Sequence, residues 1–157
     1  MDQANNAFVP HVLVIQTGTQ VLFPNSDSVS HHVYSFSEAK SFELGLYKGN
    51  AYPPVSFDRP GIVVLGCNIH DGMLGYIVVV DTPYFALTDE RGTARLPSVA
   101  AGDYVVDVWT PRARPAGLPA GVRLSVGEQP AQTTFTLRGK LAQDHDHAGA
   151  GLQWNRY

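Results

Sequence analysis

The feature that most constrains the fold of this chain is a two-residue alternation of apolar and polar side chains in short, β-branched runs. Clusters of Gly, Pro, Asn and Asp separate the runs, and this punctuation is typical of a β-sandwich or β-barrel. Charged residues make up only 16% of the sequence, against roughly 25% in an average soluble protein, which argues against long solvent-exposed helices. The sequence therefore predicts an all-β protein. The first predicted strands cover residues 12–15, 19–23, 32–36, 61–65 and 76–80.

A break in this pattern predicts two domains. Pro83 cannot donate a hydrogen bond to a central sheet ladder, so the first group of strands ends before it. We expect one domain at residues 1–81, a second at 82–138 and a polar, Gly-rich tail at 139–157. The one candidate helical turn lies near residues 37–46. Predicted strands of the second domain cover residues 84–88, 93–96, 104–109, 122–126 and 133–137.

Composition excludes several classes of protein. A formal net charge of −3 provides no basic surface for nucleic acid. The longest apolar run, Leu74–Val80, is far shorter than the roughly 18 residues of a membrane span. The single cysteine, Cys67, rules out a disulfide within the chain. Residues 1–8 lack the apolar core of a signal peptide, and we expect them to begin a mature sequence.

Cys67, His70 and Met73 form a C-x2-H-x2-M motif at the entrance to a predicted strand. Taken singly, a cysteine is more often a small buried hydrophobe and a methionine a filler of core gaps. Together, a thiolate, an imidazole and a thioether on one tight turn supply most of the donor set that copper prefers. That set is two His and one Cys in a plane with a distant Met. The motif predicts a copper site that needs a second His from elsewhere.

The second His is found in a segment where the sequence resembles a known family. Asn25, five further residues, His31 and then Val33 match the ligand segment of plastocyanin and amicyanin, the small blue copper proteins or cupredoxins. The C-x2-H-x2-M loop matches the short loop of amicyanin, and the resemblance covers about residues 8–81. It implies a Greek-key β-sandwich and one copper ion that cycles between Cu(I) and Cu(II). By this resemblance the ligands are His31, Cys67, His70 and, weakly and axially, Met73.

Two ligand positions stay open. The family has Asn after its first ligand His, where this chain has His32. Neighbouring residues of a strand face opposite sides, so either His31 or His32 can be the ligand, but not both. Asn68 could replace the missing Asn in tying the ligand loops together. Glu43 is the rival to Met73 as axial donor, and a carboxylate there implies a red, nitrosocyanin-like copper site.

The remaining motifs are weaker. His145 and His147 form an H-x-H pair in the tail, which indicates either a surface metal site or a solvated segment. We expect His11 to be structural. Residues 82–138 resemble the carboxypeptidase-regulatory-like modules, which are transthyretin-like or Ig-like β-sandwiches. The matching segments are the turn at residues 89–92 and the step at residues 101–104. No catalytic residue is recognised there.

The sequence predicts a periplasmic cupredoxin that transfers single electrons between redox partners. The expected partner is a cytochrome or a copper or quinone oxidoreductase, with no nucleic acid and no membrane span. The alternative is a copper delivery or sensing protein without an electron-transfer role. No Ser/His/Asp or paired-carboxylate constellation is evident, so we expect no enzymatic activity.

Overall fold

The computed structural model describes residues 1–96 and 98–142, and these residues contain eleven strands, one 3-10 turn and no α-helix. The prediction of an all-β protein is confirmed. The chain divides into two compact units, the first ending at Pro83 and the second beginning at Tyr84. The strands are β1 Asp2–Ala4, β2 Ala7–Val9, β3 Val12–Gln16, β4 Thr19–Val21, β5 His31–Ser37, β6 Lys40–Tyr47, β7 Val55–Phe57, β8 Gly61–Gly66, β9 Leu74–Val80, β10 Gly102–Val106 and β11 Val122–Val126.

A five-stranded mixed sheet is the frame of the first unit. Its strand order is β3-β9-β8-β5-β6, with β3 parallel to β9 and the other neighbours antiparallel. Alternate residues of β5 are buried, namely His31, Val33 and Ser35. In β9 the side chains of Ile77 and Val79 point into the same core. The period-two pattern of the sequence therefore marks the inner face of this sheet.

Two short strand pairs, β1-β2 and β4-β7, cover that face. Phe8 of β2, Val21 of β4 and Phe57 of β7 belong to the same buried cluster as Val63 and Ile77 of the sheet. Fully burying side chains of this size contributes about 1.5–3 kcal/mol each. The first unit is thus a β-sandwich with its core between the large sheet and the small pairs.

The expected helical turn near residues 37–46 is wrong, because this segment forms strand β6. Its buried residues Leu44 and Tyr47 stand three apart, which is a helical spacing. The structure explains the spacing by a β-bulge: His31 pairs with Tyr47 and Val33 with Leu44, so β6 carries one extra residue. A bulge shifts the alternation by one position.

The second unit shows one antiparallel pair in its described residues, β10 with β11. The predicted strands at residues 84–88, 93–96 and 133–137 have no regular secondary structure. The predicted sandwich module is therefore not confirmed. His145 and His147 lie outside the described residues. No helix in the described part of the chain is long and apolar enough to cross a membrane.

Candidate metal centre

His31 opens strand β5 with its side chain in the core. It is fully buried, and the alternation of the strand turns the neighbouring His32 to the other side. There the Nε2 atom of His32 lies 2.8 Å from a carboxylate oxygen of Glu43, which belongs to the adjacent strand β6. The two histidines that the sequence left as alternatives therefore occupy different environments.

The second ligand segment is the loop between β8 and β9. It begins at Cys67, directly after Gly66, and a Cβ atom at Gly66 would lie only 2.7 Å from the ring of Tyr34. The amide of Met73 donates to the carbonyl of His70 at 3.1 Å. Gly72 has a φ of +84°, as the third residue of a type II turn requires. This turn brings Met73 back towards His70.

Three donor atoms converge where the two segments meet. The Nδ1 atoms of His31 and His70 are 3.0 Å apart, and the Sγ atom of Cys67 lies 3.8 Å and 3.7 Å from them. The point equidistant from the three atoms is about 2.0 Å from each, near the ~2.0–2.3 Å at which first-row metal ions bind nitrogen and sulfur. His31 and Cys67 are buried and His70 is partly exposed. The triangle fits a small, thiophilic metal ion such as copper.

The two candidates for axial ligand differ in position. Met73 is 4% exposed and belongs to the same buried cluster as Cys67. Glu43 has a side chain that is 66% exposed, and its carboxylate is paired with His32. Within the described residues, the only close group of His, Cys, Asp or Glu donors that could hold a metal ion comprises His31, Cys67 and His70. Met73 is thus the candidate that lies in the same core as Cys67.

Asn25 ties the segment before His31 to the end of strand β6. Its side chain is buried and donates to the carbonyls of Val29 at 3.0 Å and Tyr47 at 2.8 Å. Its backbone N–H and C=O groups pair with those of Gly49. Asn68, the other candidate for such a tie, is exposed. The segment that leads to His31 is therefore fixed from inside the molecule by Asn25.

Asp27 is a site residue that the sequence reasoning missed. Its Oδ2 atom lies 2.7 Å from Nε2 of His31, the ring nitrogen on the far side from the cysteine. The backbone amide of Asn6, followed by the side chain of His31, holds the pKa of this carboxyl below its usual value. An acidic residue four positions before a ligand histidine was the available signal.

Comparisons with known proteins give matches among solved structures alone, because no protein-family model and no curated protein matches the chain. A purple cupredoxin from Nitrosopumilus maritimus is 26% identical over 47% of this chain and 82% of its own, with a TM-score of 0.42. A reduced mutant of amicyanin is 21% identical over 50% and 78%, with a TM-score of 0.46.

A copper-containing nitrite reductase from Thermus scotoductus is 27% identical over 52% of this chain, with a TM-score of 0.48. The match covers 22% of the reductase, so this chain spans about a fifth of it. The cupredoxin and the amicyanin belong to the family that the sequence resembles.

Proposed function

We propose that the first unit of this chain is a cupredoxin that transfers single electrons through one copper ion bound by His31, Cys67 and His70. The observation that carries this proposal is the triangle of two imidazole nitrogens and one thiol sulfur in the protein interior. This His2Cys set is the equatorial ligand set of electron-transfer copper sites. We also propose Met73 as the weak axial ligand, because it is buried in the cluster that contains Cys67.

Copper, when bound, supplies a one-electron couple between Cu(I) and Cu(II). The chain contributes rigidity, since strand β5 positions His31 and a hydrogen-bonded turn positions His70. Buried surroundings at His31 and Cys67 keep water from the donor atoms. Donors that hold one arrangement in both oxidation states favour fast electron transfer, and the residues behind them tune the potential.

The exposed side of the loop supports a role with a redox partner. His70 is partly exposed, and Ile69 beside it is 51% exposed. An apolar side chain next to the exposed edge of a ligand histidine suits the small, short-lived contacts of electron-transfer proteins. We propose a periplasmic location and a partner that is a cytochrome or a copper or quinone oxidoreductase.

Burial also distinguishes this proposal from copper delivery or sensing. A delivery site has to hand its ion to a partner, which requires donors that the partner can reach. His31 is 0% exposed and Cys67 is 7% exposed, so two of the three donors lie beyond such reach. A carrier moves electrons, which can leave through the edge of His70. This burial favours electron transfer over metal transfer and over catalysis at an open coordination position.

The test is to add Cu(II) to the metal-free protein and record the visible absorption. We expect an intense band from thiolate-to-copper charge transfer that ascorbate bleaches reversibly. Cys67→Ser removes the band, and the matched variant Met73→Leu keeps it and raises the reduction potential, because a weak donor to Cu(II) is lost. A colourless protein that binds zinc and refuses copper contradicts the proposal.

A further inference from the structure

We propose that Asp27 is a positioning residue of the metal site: its carboxylate, held by the N-terminal β1-β2 hairpin, orients His31 and lowers the reduction potential of bound copper. This inference rests on the proposed function, because it concerns the same ligand. It adds a charged partner behind His31 and assigns a purpose to the hairpin, which contributes no donor to the metal site.

The contacts of Asp27 show how its carboxylate is fixed. Oδ1 accepts a hydrogen bond from the backbone amide of Asn5 at 2.6 Å, and Oδ2 accepts one from the amide of Asn6 at 3.0 Å. Oδ2 also lies 2.7 Å from Nε2 of His31, a residue that is itself fully buried. The side chain of Asp27 is only 15% exposed. Three donors thus converge on one shielded carboxylate.

The hairpin places two of these donors. Asn5 and Asn6 both have a φ of +56°, the left-handed conformation that both central residues of a type I′ hairpin turn need. Asn tolerates this conformation better than most residues, because its short polar side chain bonds locally. The turn directs two successive amides at Asp27. An anion at such a concave arrangement of backbone amides is electrostatically favourable.

Further bonds dock the hairpin on the segment that leads to His31. The amide of Gln3 donates to the carbonyl of Pro24 at 3.1 Å, and the amide of Ser26 donates to the carbonyl of Gln3 at 2.9 Å. The hydroxyl of Ser26 donates to the carboxylate of Asp2 at 2.8 Å. Because these bonds lock the hairpin to residues 24–26, the carboxylate of Asp27 has one position relative to His31.

The chemistry of His31 follows from this partner. A carboxylate only accepts hydrogen bonds, so the Nε2 atom of His31 carries the proton and donates it to Asp27. The neutral ring then presents a lone pair at Nδ1, the atom that faces His70 and Cys67. A carboxylate behind a ligand histidine raises the basicity of the ring. Its negative charge stabilises Cu(II) more than Cu(I), which lowers the reduction potential.

His32 and Glu43 provide an internal control. They form the same kind of pair at nearly the same distance, 2.8 Å, one residue further along the chain. The Glu43 side chain is 66% exposed, and neither residue belongs to the donor triangle. A pair this exposed contributes little to stability, because water screens the attraction between its members. Removing the charge of Glu43 therefore measures the effect of a nearby charge without a bond to a ligand.

The first experiment compares Asp27→Asn with Glu43→Gln in the copper-loaded full-length protein. Both variants keep the thiolate band. Asp27→Asn lowers the Cu(II) affinity by about 10- to 100-fold, as the loss of a partner behind a metal ligand does. Each tenfold loss confined to Cu(II) raises the reduction potential by about 59 mV. Glu43→Gln changes the affinity by less than about threefold. Equal shifts in the two variants overturn the proposal.

The second experiment needs no copper. Long-range ¹H–¹⁵N correlation spectra of the metal-free wild-type protein, at mildly alkaline pH, report which ring nitrogen of His31 carries the proton. We expect Nε2–H for His31 in the wild type and a mixture of tautomers in Asp27→Ala. An Nδ1–H tautomer in the wild type overturns the proposal. A protein that gives no copper band refutes the proposed function, whereas these spectra still test Asp27.

Discussion

The two units of this protein differ in where they bury their side chains. Every buried residue in the described chain lies in the first unit, including the core of β-strand side chains and the ligands His31 and Cys67. Among the described residues from 84 to 142, none is buried, and Val105 in the middle of strand β10 is 62% exposed. Placing three donors within 4 Å of one another needs a rigid core on several sides. The buried core and the donor group His31, Cys67 and His70 therefore belong to the same part of the chain.

The largest effect that we predict is on the thiolate-to-copper absorption band, which is either present or lost. A shortened chain of residues 1–83 contains all three donors and the supporting residues Asn25 and Asp27, so we expect it to give the band of the full protein on addition of Cu(II). In the full chain, Cys67→Ser abolishes the band. If the shortened chain folds but stays colourless, residues beyond 83 are essential to the site, and the predicted boundary at residue 81 is wrong.

The next effect separates the two neighbouring histidines. His31→Gly removes an equatorial donor and opens space at the buried site, so the band is lost and added imidazole restores it. His32→Gly, the matched control, keeps the band because this side chain faces Glu43 instead of the cysteine. Absorption spectra with and without imidazole measure both. Rescue of His32→Gly in place of His31→Gly would show that the ligand is misassigned by one residue.

A pair of core truncations compares the stabilities of the units. Ile77 is 0% exposed at the centre of the first core, and Ile77→Ala should lower the free energy of unfolding by about 2–5 kcal/mol, through lost burial and the cavity left behind. Leu124 of strand β11 is only half-buried, and Leu124→Ala should cost about 1 kcal/mol or less. Urea unfolding of the metal-free protein measures both values. Equal costs would mean that the second unit has a core of its own.

The smallest effect is a pH dependence of stability at the alkaline end. Burial raises the pKa of Tyr47 to about 12, and its hydroxyl donates to the carbonyl of Phe23 at 2.6 Å. The unfolded chain loses this proton near its ordinary value of 10.0. The folded state keeps it longer, so the free energy of unfolding falls as the pH rises from about 10 to about 12. Urea unfolding across this range shows the slope.

Tyr47→Phe is the control for this slope. It removes the ionisable hydroxyl, so the fall between pH 10 and 12 becomes shallower. The part that remains reflects Tyr76 and Tyr104, whose pKa values desolvation also raises. At neutral pH the variant is less stable, since Gln3 loses the hydroxyl to which its amide donates at 2.5 Å. An unchanged alkaline slope in the variant would exclude Tyr47 as its source.

Spacing in the sequence accounts for part of the donor group that the structure brings together. Cys67 and His70 are close in space because they are only three positions apart in one short loop. His31 comes from another strand, and only the resemblance to a family could join it to them. Asp27 was missed because a lone acidic residue in a polar loop looks solvated. Its purpose depends on the amides of Asn5 and Asn6, which lie more than twenty residues away.

Fold errors have physical causes as well. Strand β6 has a helical spacing of buried residues because it carries a bulge. The bulge lies opposite His31 to Val33 of β5. Strand β1 was missed because its buried side chain is Gln3, a polar residue held by the carbonyl of Pro24 and the hydroxyl of Tyr47. Periodicity detects strands with apolar inner faces. It does not detect strands whose inner face is polar or interrupted by a bulge.

X-ray absorption at the copper edge is the decisive test of the proposed ligand set, because it identifies and counts the atoms bound to the metal. We expect one sulfur and two imidazole nitrogens at about 2.0–2.3 Å. The sulfur disappears in Cys67→Ser, and one imidazole disappears in His31→Gly. A shell of nitrogen and oxygen alone, or one that Cys67→Ser leaves unchanged, would contradict it.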